Sequence, residues 1–159
     1  GHSMGALIGY LICHKLEELS IKKPLKLIAS GRIAPSVIGN KKISNLSSEE
    51  FWNEIFNLGG VPDSIKNNFI MRSFFEPILK ADFKVVENYI YEKNKLLSIP
   101  IDVLYGKEES NNKLDFWNWQ NESSKKVNIR EFEGSHFFIY NFVEDIAKYL
   151  TTAFILNKY

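Results

Sequence analysis

Gly1-His2-Ser3-Met4-Gly5 is a G-x-S-x-G pattern, and an apolar run, Ala6-Leu7-Ile8-Gly9-Tyr10-Leu11-Ile12, follows it without a linker. The chemistry this spacing offers is nucleophilic attack by a serine. At a sharp turn from strand to helix the serine takes a strained backbone conformation that exposes its Oγ. Glycines two residues to either side keep side chains out of the crowded bend. The helix N-terminus behind the serine puts the Met4 backbone N–H where negative charge would develop on a substrate oxygen. Alone the pattern is a weak signal, since three fixed small residues arise by chance in about one chain in twenty of this length. Gly-His-Ser-Met also resembles the remnant of an expression tag, but the helix that follows at once argues against that reading.

An activated serine needs a base, and the base needs an orienting carboxylate. Behind a nucleophile elbow the chain order is Ser, then Asp or Glu, then His. His136 lies in the loop Glu133-Gly134-Ser135-His136 after the last expected strand. Glu108 and Glu109 follow the preceding strand, closed by Gly106. Taken singly, a loop histidine is more often a plain surface residue. Correct order and three positions at the carboxyl ends of strands, where α/β sites form, favour the catalytic reading. Glu109 stands three residues after the strand-ending glycine and is the first choice for the acid, with Glu108 the alternative. Asp102, inside a strand, is a poorer candidate. His2 is expected to pack beside the elbow rather than act as a base, and His14 to lie on the surface.

The elements that must position these residues are legible as a pattern. A helix is expected from about Gly5 to Leu19, apolar on nearly all sides at first and therefore buried between layers. Leu25–Ala29 reads as a short strand that ends in Ser30-Gly31-Arg32-Ile33-Ala34-Pro35. From Ile43 to Tyr91 the chain turns helical and aromatic. Ser47 and Glu50 have capping-box spacing, and Gly59-Gly60 gives a stop. Pro77 suggests a break between two helices. Ile99–Tyr105 and Val127–Phe132 are strands, separated by a helix with Leu114, Phe116, Trp117 and Trp119. A last amphipathic helix presents Val143, Ile146, Ala147, Leu150 and Phe154. Such alternation implies a parallel sheet with helices on both faces, interrupted by a helical insertion. The expected division is 1–42, 43–91 and 92–159.

Size and composition narrow the classes. A chain of 159 residues, 45% hydrophobic and 25% charged, is one domain's worth of globular sequence. A net charge of +1 offers no electrostatic case for nucleic acid or an anionic membrane. Cys13 is the single cysteine, so no internal disulfide framework or Cys-rich metal site can form. Its place in an apolar helix suits a small core residue. No apolar run approaches the ~20 residues a membrane span needs. An elbow requires a strand in front of it, and no residue precedes Gly1. The sequence is therefore expected to be the C-terminal part of a longer protein. On its own, the strand at Leu25–Ala29 would then present an unpaired edge.

The chain resembles the type II, or editing, thioesterases that accompany nonribosomal peptide and polyketide synthases. The residues that carry the resemblance are Gly1-His2-Ser3-Met4-Gly5, Ser30-Gly31-Arg32 with Ala34-Pro35, and Leu58-Gly59-Gly60 with Pro62. They continue through Pro77, Ala81-Asp82-Phe83 and Glu87-Asn88-Tyr89 to Gly134-Ser135-His136-Phe137-Phe138. The resemblance implies a partial α/β-hydrolase fold, with a mobile helical lid at about Ile43–Tyr91 and N-terminal strands missing. It implies hydrolysis of acyl groups mis-loaded on the phosphopantetheine arm of a carrier protein. The site would be Ser3, His136 and a triad acid at Glu109, with Met4 in the oxyanion hole and neither metal nor cofactor. A glutamate departs from the aspartate usual in that family, and the loop that donates the second oxyanion N–H would lie in the missing portion. The implied enzyme is cytoplasmic and monomeric when whole, with a carrier protein as partner. Arg32 would hold its loop to the lid by an ion pair or meet the pantetheine phosphate, and Asp82 would serve a hinge or a cap. The alternatives are a carboxylesterase on the same fold and an inactive module that binds carrier proteins.

Overall fold

The computed structural model of the chain describes residues 1–37, 42–109 and 112–156. Two compact units are present, Gly1–Val37 with Lys93–Tyr159, and Ile38–Glu92. The first unit carries the sheet. Among the described residues it holds three parallel strands in sequence order, β1 (Leu27–Ser30), β2 (Ile101–Gly106) and β3 (Val127–Phe132). The edge of β1 away from β2 is met by the first residues of the chain. His2 bridges Ser30 in parallel, Ser30 N–H donates to the Gly1 carbonyl at 2.9 Å, and Ser3 N–H donates to the Ser30 carbonyl at 2.7 Å. The expected open edge at Leu25–Ala29 is thus covered at its carboxyl end.

Side chains alternate across the sheet and each face has its own cover. Ile28, Leu104 and Phe132 share a face with Phe138, Phe142 and Ile146, the last of these on helix α6 (Val143–Leu156). The opposite face carries Tyr105, stacked on Phe116 of the short helix α5 (Leu114–Trp117) with ring centroids 4.1 Å apart. Leu27 lies on that same face, where helix α1 (Met4–Glu18) passes at Gly9. A 3-10 turn, Asn118–Glu122, continues α5. It replaces the end of the single helix expected there and buries Trp119, whose Nε1–H donates to the Arg32 carbonyl at 2.9 Å. The side chain of Phe154 lies outside the described residues.

Asp102, the second residue of β2, is fully buried and draws partners from beside β1, from β3 and from α6. Its carboxylate pairs with Lys26 at 2.7 Å and accepts from Asn128 of β3 at 3.0 Å and from the Tyr149 hydroxyl of α6. All of its strong polar demand is met inside the sheet, which is what a buried carboxylate requires.

α1 departs from the expected burial. Ala6, Leu7, Tyr10 and Cys13 are buried, but Ile8, Leu11 and Ile12 are 45%, 38% and 52% exposed. One stripe of the helix packs on β1, and the opposite apolar stripe is left uncovered by the described residues. His14 also differs from the surface residue expected, being half-buried with its ring edge-on to Tyr10 at 4.5 Å. At the end of α1, Ser20 takes the left-handed conformation (φ 53°) that usually ends a helix on glycine.

The second unit is helical. Helix α2 (Ser48–Leu58) opens on the expected capping box between Ser47 and Glu50 and ends at Gly59, φ 80°. A single turn, α3 (Asp63–Lys66), leads to α4 (Phe69–Glu87). The expected break at Pro77 is absent, because α4 runs through it. Contacts to either side bridge the missing hydrogen bond. Glu76 and Lys80 pair at 3.0 Å, Trp52 Nε1–H donates to Glu76 at 3.0 Å, and Phe75, Leu79 and Phe83 pack on the Phe51, Trp52 and Ile55 cluster. Asp82 falls within this continuous helix and is exposed, so it serves neither a hinge nor a cap.

Candidate active site

The elbow has the backbone its chemistry demands. Ser3 sits at φ 53°, ψ −117°, immediately before the first turn of α1. A non-glycine residue in that region stores on the order of 1–3 kcal/mol, so the surroundings must hold it there. They do so by backbone bonds, Ser3 N–H to the Ser30 carbonyl on one side and Ala6 N–H to the Ser3 carbonyl at 3.0 Å on the other. A Cβ on Gly1 would run into the Gly5 carbonyl, so the first glycine of the motif is sterically required. Gly5 is different. A Cβ there meets no atom within 4 Å, so crowding by the described residues does not account for this glycine, contrary to the symmetric role expected of the pair. Met4 occupies the first position of α1, where backbone N–H groups have no intrahelical acceptor.

Glu109 and His136 arrive on two loops joined by their backbones. After β2, Lys107 N–H donates to the Phe132 carbonyl at 2.8 Å and Glu108 N–H to the Gly134 carbonyl at 3.0 Å. This approach is close enough that a Cβ on Gly106 would strike the Ser135 and Gly134 carbonyls. Gly134 itself needs the freedom of glycine, at φ +103°. The result is a direct hydrogen bond between His136 Nδ1 and Glu109 Oε2 at 2.9 Å, with side chains 15% and 7% exposed. The other carboxylate oxygen of Glu109 accepts from Gly106 N–H at 2.7 Å, which fixes the orientation of the group. Glu108, one residue earlier, is exposed and reaches the His136 loop through its backbone alone. Of the two glutamates, Glu109 is the one that bonds His136. Asp102 is committed to the sheet network described above.

His136 lies against the elbow. Its ring centroid is 4.7 Å from that of His2, the neighbour of Ser3, and 5.0 Å from that of Phe137. His2 therefore packs beside the elbow as expected, but it also touches His136, a contact that sequence spacing does not reveal. Burial first, and then the neighbouring His136, push the His2 pKa from 6.5 down to about 4. His2 is held neutral near pH 7. Among the described residues no group of three or more His, Cys, Asp or Glu side chains is arranged to hold a metal ion. No helix among them is long and apolar enough to cross a membrane.

The chemistry available is that of a serine at a strained turn, with a helix N-terminus behind it and a carboxylate-oriented histidine nearby. Comparison with known proteins bears on the family and the fold. The gramicidin S biosynthesis protein GrsT of Aneurinibacillus migulanus is 29% identical over 152 residues, covering 94% of this chain and 59% of GrsT. The medium-chain S-acyl fatty acid synthase thioesterase of Rattus norvegicus is also 29% identical, covering 94% of this chain and 60% of its own length. The chain thus spans about 60% of the length of these curated relatives. Among solved structures, the RedJ thioesterase of the prodiginine pathway in Streptomyces coelicolor superposes with a TM-score of 0.89 at 25% identity, over 96% of this chain and 61% of that one. The parallel sheet and its flanking helices are accordingly part of an α/β-hydrolase fold. The family model described as thioesterase domain matches residues 1–153, and the chain belongs to that family.

Proposed function

We propose that the protein hydrolyses acyl thioesters carried on the phosphopantetheine arm of a carrier protein, with Ser3 as nucleophile, His136 as base and Glu109 as orienting acid. The observation that carries this reading is the His136–Glu109 hydrogen bond beside a serine at φ 53°. Ser3 Oγ attacks the thioester carbonyl carbon while His136 Nε2 takes the hydroxyl proton. The Met4 N–H meets the oxyanion. As the tetrahedral intermediate collapses the C–S bond breaks, and His136 returns the proton to the departing thiolate. Water then attacks the acyl-serine with His136 again as base, which releases the carboxylic acid and restores Ser3. Glu109 holds Nδ1–H throughout, so Nε2 faces the reaction, and it stabilises the imidazolium.

The carrier-bound substrate is supported by the relatives whose names place them in peptide and fatty acyl synthesis. In this reading the helical stretch of about Ile43–Tyr91 acts as the lid, and the whole protein works as a cytoplasmic monomer. The test is turnover of an acyl-carrier protein against a simple ester of the same acyl group, in the intact protein and in Ser3→Ala. Preferential loss of the acyl group from the carrier, abolished in Ser3→Ala, is the expected result. Equal or better turnover of the ester would make it a carboxylesterase. Failure of a fluorophosphonate probe to label Ser3 would make it a binding module.

A further inference from the structure

Beside the elbow, His2 is held from several directions. Its Nδ1 is 3.0 Å from the Ser30 Oγ, a hydroxyl that is itself 7% exposed as a residue. Gly31 lies beneath the ring at φ +60°, and any Cβ there would collide with the imidazole. Phe137 and Phe138 flank the ring, with centroids 5.7 and 6.1 Å away, and His2 remains partly exposed. The Nε2 of His2 is buried and makes no hydrogen bond among the described residues. A ring whose second nitrogen is left unpaired is not built to relay a proton. It is built to occupy space.

We infer that His2 is a positioning residue for the base, a clamped aromatic wall that fixes the plane of the His136 ring while Glu109 fixes its Nδ1. This inference rests on the assignment of His136 as the base. The carboxylate alone leaves the imidazole free to rock about the line through its one hydrogen bond. A tilted ring 4.7 Å away blocks that rocking on one side. The clamp also gives Ser30-Gly31 a role: a small hydroxyl to hold the wall and a missing side chain to make room for it. The neutrality of His2 fits the same task, since a second cation in contact with His136 would oppose the imidazolium formed during attack.

The test uses the intact protein and an acyl thioester of N-acetylcysteamine, with His2→Ala, His2→Phe, Ser30→Ala and Ser3→Ala compared to wild type. A second readout is the low-field NMR signal of the His136 Nδ1 proton and its rate of exchange with solvent. His2→Ala should lower kcat by about ten- to a hundredfold with KM within about twofold, the loss expected when a reacting group is misplaced by about an ångström. Its Nδ1 proton should exchange faster. His2→Phe, which restores a ring, should recover most of the turnover and the slow exchange. Ser30→Ala, which loosens the ring without removing it, should shift both readouts the same way by a smaller factor. The proposal is overturned if His2→Ala stays within about twofold of wild type. It is equally overturned if His2→Phe is as impaired as His2→Ala with the proton signal unchanged. Should His2→Ala fail to fold, an unaltered Ser30→Ala decides against it. If wild type does not turn over the thioester, or Ser3→Ala matches it, the hydrolase reading falls instead, and the proton exchange rates still decide the role of His2.

Discussion

At the scale of single residues, the two adjacent glutamates make a sharp pair. Glu109 gives one oxygen to His136 and the other to Gly106 N–H, whereas Glu108 is exposed. Removing an orienting acid costs on the order of 10⁴ in turnover. Steady-state kinetics of the intact protein should therefore show Glu109→Gln near that loss and Glu108→Gln close to wild type. Comparable turnover in both variants would remove Glu109 from the mechanism. His2 supplies a second prediction, about stability rather than rate. The folded state keeps it neutral down to about 4, while an unfolded chain takes up a proton near 6.5. Between those values the unfolded state binds more protons, so stability falls as pH is lowered through the window. His14 shifts in the same direction through burial, so the variant must isolate one ring. Thermal melts between pH 6.5 and 4.5 should decline less steeply in His2→Phe than in wild type; parallel declines would show that His2 is not the proton acceptor.

At the scale of elements, legibility depended on whether a signal was local. The elbow, the capping box at Ser47 and Glu50, and the strand over Val127–Phe132 are each written in a few consecutive residues, and the structure has them there. The strand-end placement of Glu109 and His136 was legible too, because order along the chain and order in the sheet coincide. What escaped was set by tertiary contact. Pro77 reads as a break, yet α4 passes through it because Glu76, Lys80 and three apolar neighbours hold both flanks. The contact between His2 and His136 joins residues 134 positions apart in sequence, and no spacing rule reaches that far. The held proline yields an element-scale prediction. An interior proline costs a helix up to about 3 kcal/mol, part of it offset by the stiffer unfolded chain. Pro77→Ala should therefore stabilise the helical unit by on the order of 1–2 kcal/mol in denaturant titration, with no gain in helical content. A rise in helix signal would mean that the element is broken in solution.

At the scale of the whole molecule, the uncovered stripe of α1 dominates behaviour in solution. Ile8, Leu11 and Ile12 lie on one face at helical spacing and are each more than a third exposed. A contiguous apolar strip of this kind drives association. The 159-residue chain by itself should sediment with concentration-dependent mass, and Ile8→Glu with Ile12→Lys should suppress the effect. A clean monomer at all concentrations would refute it. Asp102 sets a different property, the order in which the sheet can assemble. Its carboxylate is satisfied by Lys26, Asn128 and Tyr149, which lie 76, 26 and 47 positions away along the chain. Until all three arrive, β2 would have to dehydrate a charge that is only partly compensated. Partial sheets of β1 with β2, or β2 with β3, are penalised, and loop closure over such distances is slow. The buried carboxylate thus ties β1, β2, β3 and α6 to one another, and its demand is fully met only when all four are in place.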